Sequence, residues 1–233
     1  MPSEVPTTTI DQNLRQRVVE RVRAEIISGQ SAPGTMYSAP NLALALGVST
    51  TPVREALLEL SRIGLIEPLR NRGFRVVEPS STQLEELFDM RDVLEIHAAV
   101  LLTRQPKRDL SSLRPHADAI ARAVETEDVQ AYVEADRAFH FGLIDAARNG
   151  LLTETIMGLR DKMRLYGIGS RAGRERQEAS VAEHYRLIEL AETGTADALT
   201  ATLRPHIMSW KPIFLAALNR HTVRLSWPLA SKP

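Results

Sequence analysis

From Thr82 to about Arg220 the apolar residues of this chain recur every three or four positions, and the pattern is helical throughout. Side chains at that spacing share one face of an α-helix, so this stretch must bury its apolar stripes by packing helix on helix. Segments of about 82–104, 109–126, 129–148, 151–166, 175–193 and 196–220 fit as helices. Thr82 with Glu85 reads as a capping box opening the first of them, and Pro106 closes it. An all-α bundle of six or seven helices is expected over residues 79–224, with 225–233 as a loose tail.

The residues before Glu78-Pro79-Ser80-Ser81 read differently. Residues 1–12 are polar and carry Pro6 and a threonine run, the composition of a flexible arm. Leu14, Val18, Val22 and Ile26 form an i,i+4 stripe that Gly29 stops, and Pro33-Gly34 is a turn. A short helix from about Ser38 to Leu46 is closed by Gly47. Ser49 or Thr51 can cap the next one, which runs to about Arg62 and tolerates Pro52 in its first turn. Leu65–Leu69 and Gly73–Val77 flank Arg70-Asn71-Arg72 as two short β-runs of a hairpin.

Three helices followed by a hairpin is the element order of a winged helix-turn-helix, here over residues 13–78. Ala43 is small where two helices must approach, and Gly47 can take the positive φ of a tight interhelical turn. Ser49, Thr50, Thr51 and Arg54 open the third helix, the end that meets base edges in the major groove in such motifs. Arg70 and Arg72 sit on the hairpin tip, within reach of an adjacent groove or the backbone. Ordinary helix-turn packing beside solvated arginines fits the same pattern.

Charge permits nucleic acid without demanding it: 29 basic and 29 acidic residues leave a formal net charge of +0, but Arg54, Arg62, Arg70, Arg72 and Arg75 crowd one segment against Glu55, Glu59 and Glu67. There is no cysteine, which excludes disulfides and thiolate metal sites. The N-terminus has no basic start or apolar run, and no stretch approaches the ~20 apolar residues of a membrane span. A cytoplasmic protein without a membrane partner is expected.

The helical stripes also turn polar residues inward. Arg91 lies one heptad from Leu84 and one from Ala98. Asp136 and His140, one turn apart, fall in the stripe of Val129, Tyr132, Phe139 and Leu143. His184 lies between Val181 and Ile188, and His206 lies seven from both Leu199 and Ile213. Buried ionisable groups are found paired or on metals, so one carboxylate and three imidazoles suggest either hydrogen-bonded core residues or a metal site. Arg91 can pair with Glu95 at i,i+4 or hold a carboxylate in its planar fork. Pro205, just before His206, should break or kink the last helix.

Leu42-Ala43, the run Gly47-Val48-Ser49-Thr50-Thr51-Pro52-Val53-Arg54-Glu55-Ala56-Leu57, Gly64-Leu65-Ile66 and Arg72-Gly73-Phe74 resemble the GntR family of bacterial regulators. The remainder resembles its FadR-type (FCD) ligand-binding domain, so the likeness spans nearly the whole chain. That resemblance implies DNA contacts from Ser49, Thr51, Arg54, Arg72 and Gly73. It further implies a divalent metal on Asp136, His140, His184 and His206, whose nitrogen and oxygen donors suit zinc, nickel, manganese or iron. A small organic acid would bridge that metal and Arg91, in a homodimeric repressor on a palindromic operator. Two residues depart from the family pattern: Thr50 replaces the usual arginine, the commonest reader of guanine, and Pro40 occupies a position often polar or basic. Two alternatives remain: the metal is itself the signal, or the helical domain is a metal-dependent enzyme, since an open metal position activates water. The enzyme reading leaves the DNA-reading head unexplained.

Overall fold

The structure, a computed structural model, describes residues 7–27, 30–77, 80–163 and 167–225, with side chains described from residue 14 to 218 of these. The chain divides into two compact units, residues 1–79 and 80–233.

In the first unit the order is α1 (Thr7–Ile27), β1 (Met36–Tyr37), α2 (Ala39–Leu46), α3 (Thr50–Arg62), β2 (Ile66–Leu69) and β3 (Gly73–Val76). The stripe Val18, Val22 and Ile26 of α1 packs with Val53, Ala56, Leu57 and Leu60 of α3 in one buried cluster. The helix α1 reaches back to Thr7, so the polar segment expected to be an arm through residue 12 is helical from Thr7 onward. The expected stop at Gly29 lies outside the described residues. At the α2–α3 turn Gly47 takes φ 65°, and the Val48 amide donates to the Ala43 carbonyl at 3.1 Å. A side chain at that φ would meet its own carbonyl, which is why glycine stands there.

The hairpin gains a third strand. The sheet order is β1-β3-β2, antiparallel throughout, with Tyr37 opposite Phe74. Two residues are too few to show alternation, so β1 leaves no trace in the sequence pattern. Gly73 has φ 99°, and a Cβ there would run into the Tyr37 carbonyl oxygen, so this crossing admits only glycine. The Tyr37 hydroxyl donates to Glu25 at 2.9 Å, tying β1 to α1.

The second unit is a bundle of seven α-helices among the described residues: α4 (Ser81–Thr103), α5 (Arg114–Glu125), α6 (Val129–Asp145), α7 (Gly150–Lys162), α8 (Arg171–Thr193), α9 (Ala196–Met208) and α10 (Trp210–Leu225). The capping box belongs to Ser80 and Gln83, not to Thr82 and Glu85. Ser80 has the extended backbone of an N-cap and accepts the Gln83 amide at 3.0 Å, whereas Thr82 is already helical. A 3-10 turn, Ser111–Leu113, precedes α5, so the helix expected from 109 begins at Arg114.

The helix expected over 196–220 is two helices. Pro205 lies inside α9 and does not break it; the chain turns at Ser209, whose amide donates to the Pro205 carbonyl at 3.0 Å. Trp210 and Phe214 of α10 then enter the core with Phe88, Phe139, Ile156 and Leu187. Within this apolar interior α4 turns Arg91 and Glu95 inward between Phe88 and Ala98. Two charged residues in a core stripe need partners: they pair with each other, and Glu95 also pairs with Arg160 on α7.

Candidate functional site

Asp136 and His140 from α6, His184 from α8 and His206 from α9 converge, each offering a ligand atom within 4.8 Å of the others. His140 Nε2 lies 3.1 Å from His206 Nε2, and Asp136 Oδ1 lies 3.5 Å from His140 Nε2 and 3.4 Å from His184 Nε2. All three imidazoles are buried, His184 completely.

The far side of two rings decides their tautomers. His184 Nδ1 faces the Ser180 carbonyl at 2.7 Å, and His206 Nδ1 faces Glu183 Oε2 at 2.6 Å. A carbonyl or carboxylate can only accept, so each ring carries its proton on Nδ1 and turns a bare Nε2 lone pair into the cluster. His184 Nε2 is buried and has no hydrogen-bond partner among the described residues. An unsatisfied buried acceptor costs about 1–3 kcal/mol, so the site has an unmet need for an electrophile.

A divalent metal would meet that need. Donors held about 2.1 Å from one ion stand roughly 3.0–3.5 Å apart in tetrahedral or octahedral arrangements, and the three separations given above fall in that range. Burial pushes His140 down to about 3 and His206 down to about 4, so both are neutral, the ligating form, near neutral pH. Burial works against ionised Asp136, but the His140 ring and the Arg160 guanidinium beside it hold the carboxyl well below its usual range.

Beside the cluster lies a buried charge network. Arg91 Nε donates to Glu95 Oε1 at 2.7 Å, the i,i+4 pairing that the spacing allows. Arg160 Nη1 reaches both Glu95 oxygens, at 3.2 and 3.1 Å, and its Nη2 donates to Asp136 Oδ2 at 3.0 Å. Glu95 thus neutralises two guanidinium groups and is itself fully enclosed. A cavity of about 50 Å³ opens among these groups, lined by Arg91, Arg160, Asp136, His140 and His206 on its polar side and Trp210 and Phe214 on its apolar side. The terminal nitrogens of Arg91 carry no protein hydrogen bond among the described residues.

Arg160 leaves no signal in the sequence, because α7 shows nothing to mark that position as facing a carboxylate on α4. Glu183 and its partner Arg176 were legible only as an i,i+7 pair on α8.

On the first unit, Ser49 occupies the N-cap of α3 without a side-chain cap bond, and Ser49, Thr50, Thr51 and Arg54 are all exposed. Arg70 and Arg72 are exposed at the β2–β3 turn, around Asn71 at φ 59°. Arg75 instead pairs with Glu67 across the hairpin. Among the described residues Arg54, Arg70 and Arg72 pair with no acid, so their charge is free for an external anion. Leu44 on α2 is 85% exposed, and Pro40 is exposed too, so α2 offers little charge of its own.

Comparison with known proteins places both halves. Residues 14–76 match the bacterial regulatory proteins of the gntR family, and residues 86–209 match the FCD domain. A probable D-xylose utilization operon transcriptional repressor of Paenarthrobacter nicotinovorans is 27% identical over 206 residues, 88% of this chain and 88% of that protein. The regulator McbR of Escherichia coli is 29% identical over 145 residues, 62% of this chain and 66% of that protein. Among solved structures, McbR/YncC of E. coli superposes with a TM-score of 0.73 at 23% identity, covering 90% of this chain and 98% of that one. A GntR regulator from Rhodococcus sp. RHA1 gives 0.71 at 24%, covering 88% and 99%.

Proposed function

The chain belongs to the GntR family of bacterial regulatory proteins and carries an FCD domain, and from that premise we propose a repressor controlled by a small carboxylate bound beside a metal ion. It is a transcriptional regulator rather than an enzyme, as are the relatives it matches. No helix among the described residues is long and apolar enough to cross a membrane.

One observation carries the metal reading: three imidazoles and a carboxylate turn ligand atoms on one point, and His184 Nε2 has no other partner. Asp136, His140, His184 and His206 would hold zinc, nickel, manganese or iron, which supplies a Lewis-acidic anchor for an anionic oxygen. Charge then selects the effector. Arg91 and Arg160 balance Glu95 and Asp136, and imidazoles that ligate a metal are neutral, so a divalent ion would leave the site with two uncompensated positive charges. Buried charge of that kind needs an anion, and the free nitrogens of Arg91 face the cavity where one would sit. A water needs roughly 10–15 Å³ in the same measure, so the cavity admits an acid of only a few heavy atoms. That small volume also favours a second reading, in which the metal alone is the signal.

Thermal unfolding of the protein against zinc, a chelator and a panel of small carboxylic acids separates these readings. Stabilisation by an acid, lost on chelation, supports the effector site; stabilisation by zinc alone supports the metal signal. If neither raises the melting temperature, the cluster is a hydrogen-bonded core and the metal reading fails.

On DNA, the protein acts in this proposal as a homodimer on a palindromic operator, with half-sites about one helical turn apart. Ser49, Thr50, Thr51 and Arg54 read the major groove, and Arg70, Arg72 and the wing at Gly73 meet the adjacent groove or backbone. If the effector weakens DNA binding, DNA must weaken effector binding by the same factor. Arg54→Ala should reduce affinity for a duplex selected from a random library by about 10–100-fold, the value of one bidentate base contact. Fluorescence anisotropy measures it, and metal content should not change. Unaltered DNA affinity would remove Arg54 from the interface.

A further inference from the structure

Building on the metal reading, we propose that Glu183, gripped by Arg176, is the positioning residue that keeps His206 in its metal-ligating form. Arg176 and Glu183 stand two turns apart on α8, on the side of His206 away from the cluster. Glu183 Oε2 accepts from His206 Nδ1 at 2.6 Å and also from Arg176 Nη2, while Arg176 Nη1 donates to Glu183 Oε1 at 3.0 Å. Arg176 Nη2 further reaches the His206 carbonyl at 3.3 Å, and its guanidinium lies 5.7 Å from the centre of the Trp210 ring. One buried arginine therefore fixes the carboxylate, the backbone of His206 and the aromatic wall at the start of α10.

The three imidazoles are not prepared alike. His184 is oriented by a main-chain carbonyl, which no substitution removes. His140 Nδ1 is buried without a partner, so nothing behind that ring selects its tautomer. Of the two rings held at Nδ1, only His206 is held by a side chain. The carboxylate is the right group for this task because it has two acceptor atoms and no proton: it serves the arginine fork and still forces the His206 proton onto Nδ1. Pro205 makes the support necessary. It cannot donate an amide to the preceding turn of α9, so the backbone beside His206 lacks one helical tie, and the bond from Arg176 to the His206 carbonyl supplies another.

Glu183→Gln tests this with little change of shape. The amide puts an NH2 where the carboxylate has its second oxygen, and that NH2 must face a donor, either Arg176 Nη1 or His206 Nδ1, so the two compete for the remaining oxygen. When Arg176 takes it, the amide N–H faces His206 Nδ1 and drives the ring proton to Nε2, where it blocks a metal. Competition against a chromogenic chelator, with zinc(II) as the probe, should show affinity reduced about 10–100-fold. Nitrogen-15 spectra of histidine-labelled, metal-free protein should show one ring changing from Nδ1–H to Nε2–H, a change that loss of packing alone does not produce. Arg176→Lys, which keeps the charge but not the fork, should give a smaller loss of zinc affinity. Equal zinc affinity and unchanged ring spectra in Glu183→Gln overturn the role of Glu183. Failure of the unsubstituted protein to bind zinc overturns the metal reading instead.

Discussion

Replacing Glu95 with alanine should destabilise the helical unit by about 3–5 kcal/mol, the cost of removing one partner from a buried ion pair. Glu95 is 1% exposed and is the shared anion of buried Arg91 and largely buried Arg160, whose side chain is 10% exposed. Without it Arg91 loses its carboxylate partner, while Arg160 keeps that of Asp136. The penalty is the desolvation of guanidinium groups that no water replaces. A pH titration provides a second measure. Burial raises the Glu95 carboxyl, but Arg91 and then Arg160 outweigh it and lower the group to about 2, from an ordinary 4.5. A carboxyl depressed in the folded state contributes its stability fully above the unfolded value and loses it as pH falls towards the folded one. Stability of the unsubstituted protein should therefore drop between about pH 4.5 and 2, and that of Glu95→Ala should drop less over the same window. Urea unfolding at several pH values reads both effects. A loss under 1 kcal/mol at neutral pH would mean that water reaches these charges.

His184→Ala should abolish metal binding for practical purposes, lowering affinity by more than the 10–100-fold typical of an outer partner. Its ring is fully buried, stands edge-on to Phe139 at 4.6 Å between centroids, and has no use for Nε2 within the protein. At a metal concentration of 100 Kd the unsubstituted protein gains about 2.7 kcal/mol from binding, and the variant should gain nothing. Comparing melting temperatures with and without chelator isolates this from the packing lost with the ring: the packing loss persists in chelator, whereas the metal increment does not. Equal metal content in the two proteins would show that His184 is no ligand.

How much of this could be read in advance follows from the range of each interaction. Helical periodicity placed Leu84, Phe88, Arg91, Glu95 and Ala98 on one face of α4, and put Asp136 and His140 one turn apart on the inner face of α6. Gly47 marked the α2–α3 turn, and Arg70-Asn71-Arg72 marked the hairpin. These features are local: a backbone conformation or a face is settled within a few residues, so residue type and spacing suffice. The direction in which a face points was therefore legible, and so was the inward turn of one carboxylate and three imidazoles.

What those faces meet was not. The bond from Arg160 to Glu95 joins residues 65 apart, and the contact of His206 with Glu183 joins residues 23 apart. Periodicity says that a side chain turns inward but not which helix faces it, because that depends on how the helices are rotated and stacked. The strand β1 escaped because its two residues acquire strand geometry only by pairing with β3. The turn at Ser209 escaped for a similar reason: α9 runs through Pro205, and α10 starts where Trp210 and Phe214 find the core. Residue type and spacing alone specified a winged head, a helical bundle and one carboxylate and three imidazoles turned inward. Only the packed structure decided the tautomers of two imidazoles and the partners of each buried charge, because both are properties of atoms brought together from different helices.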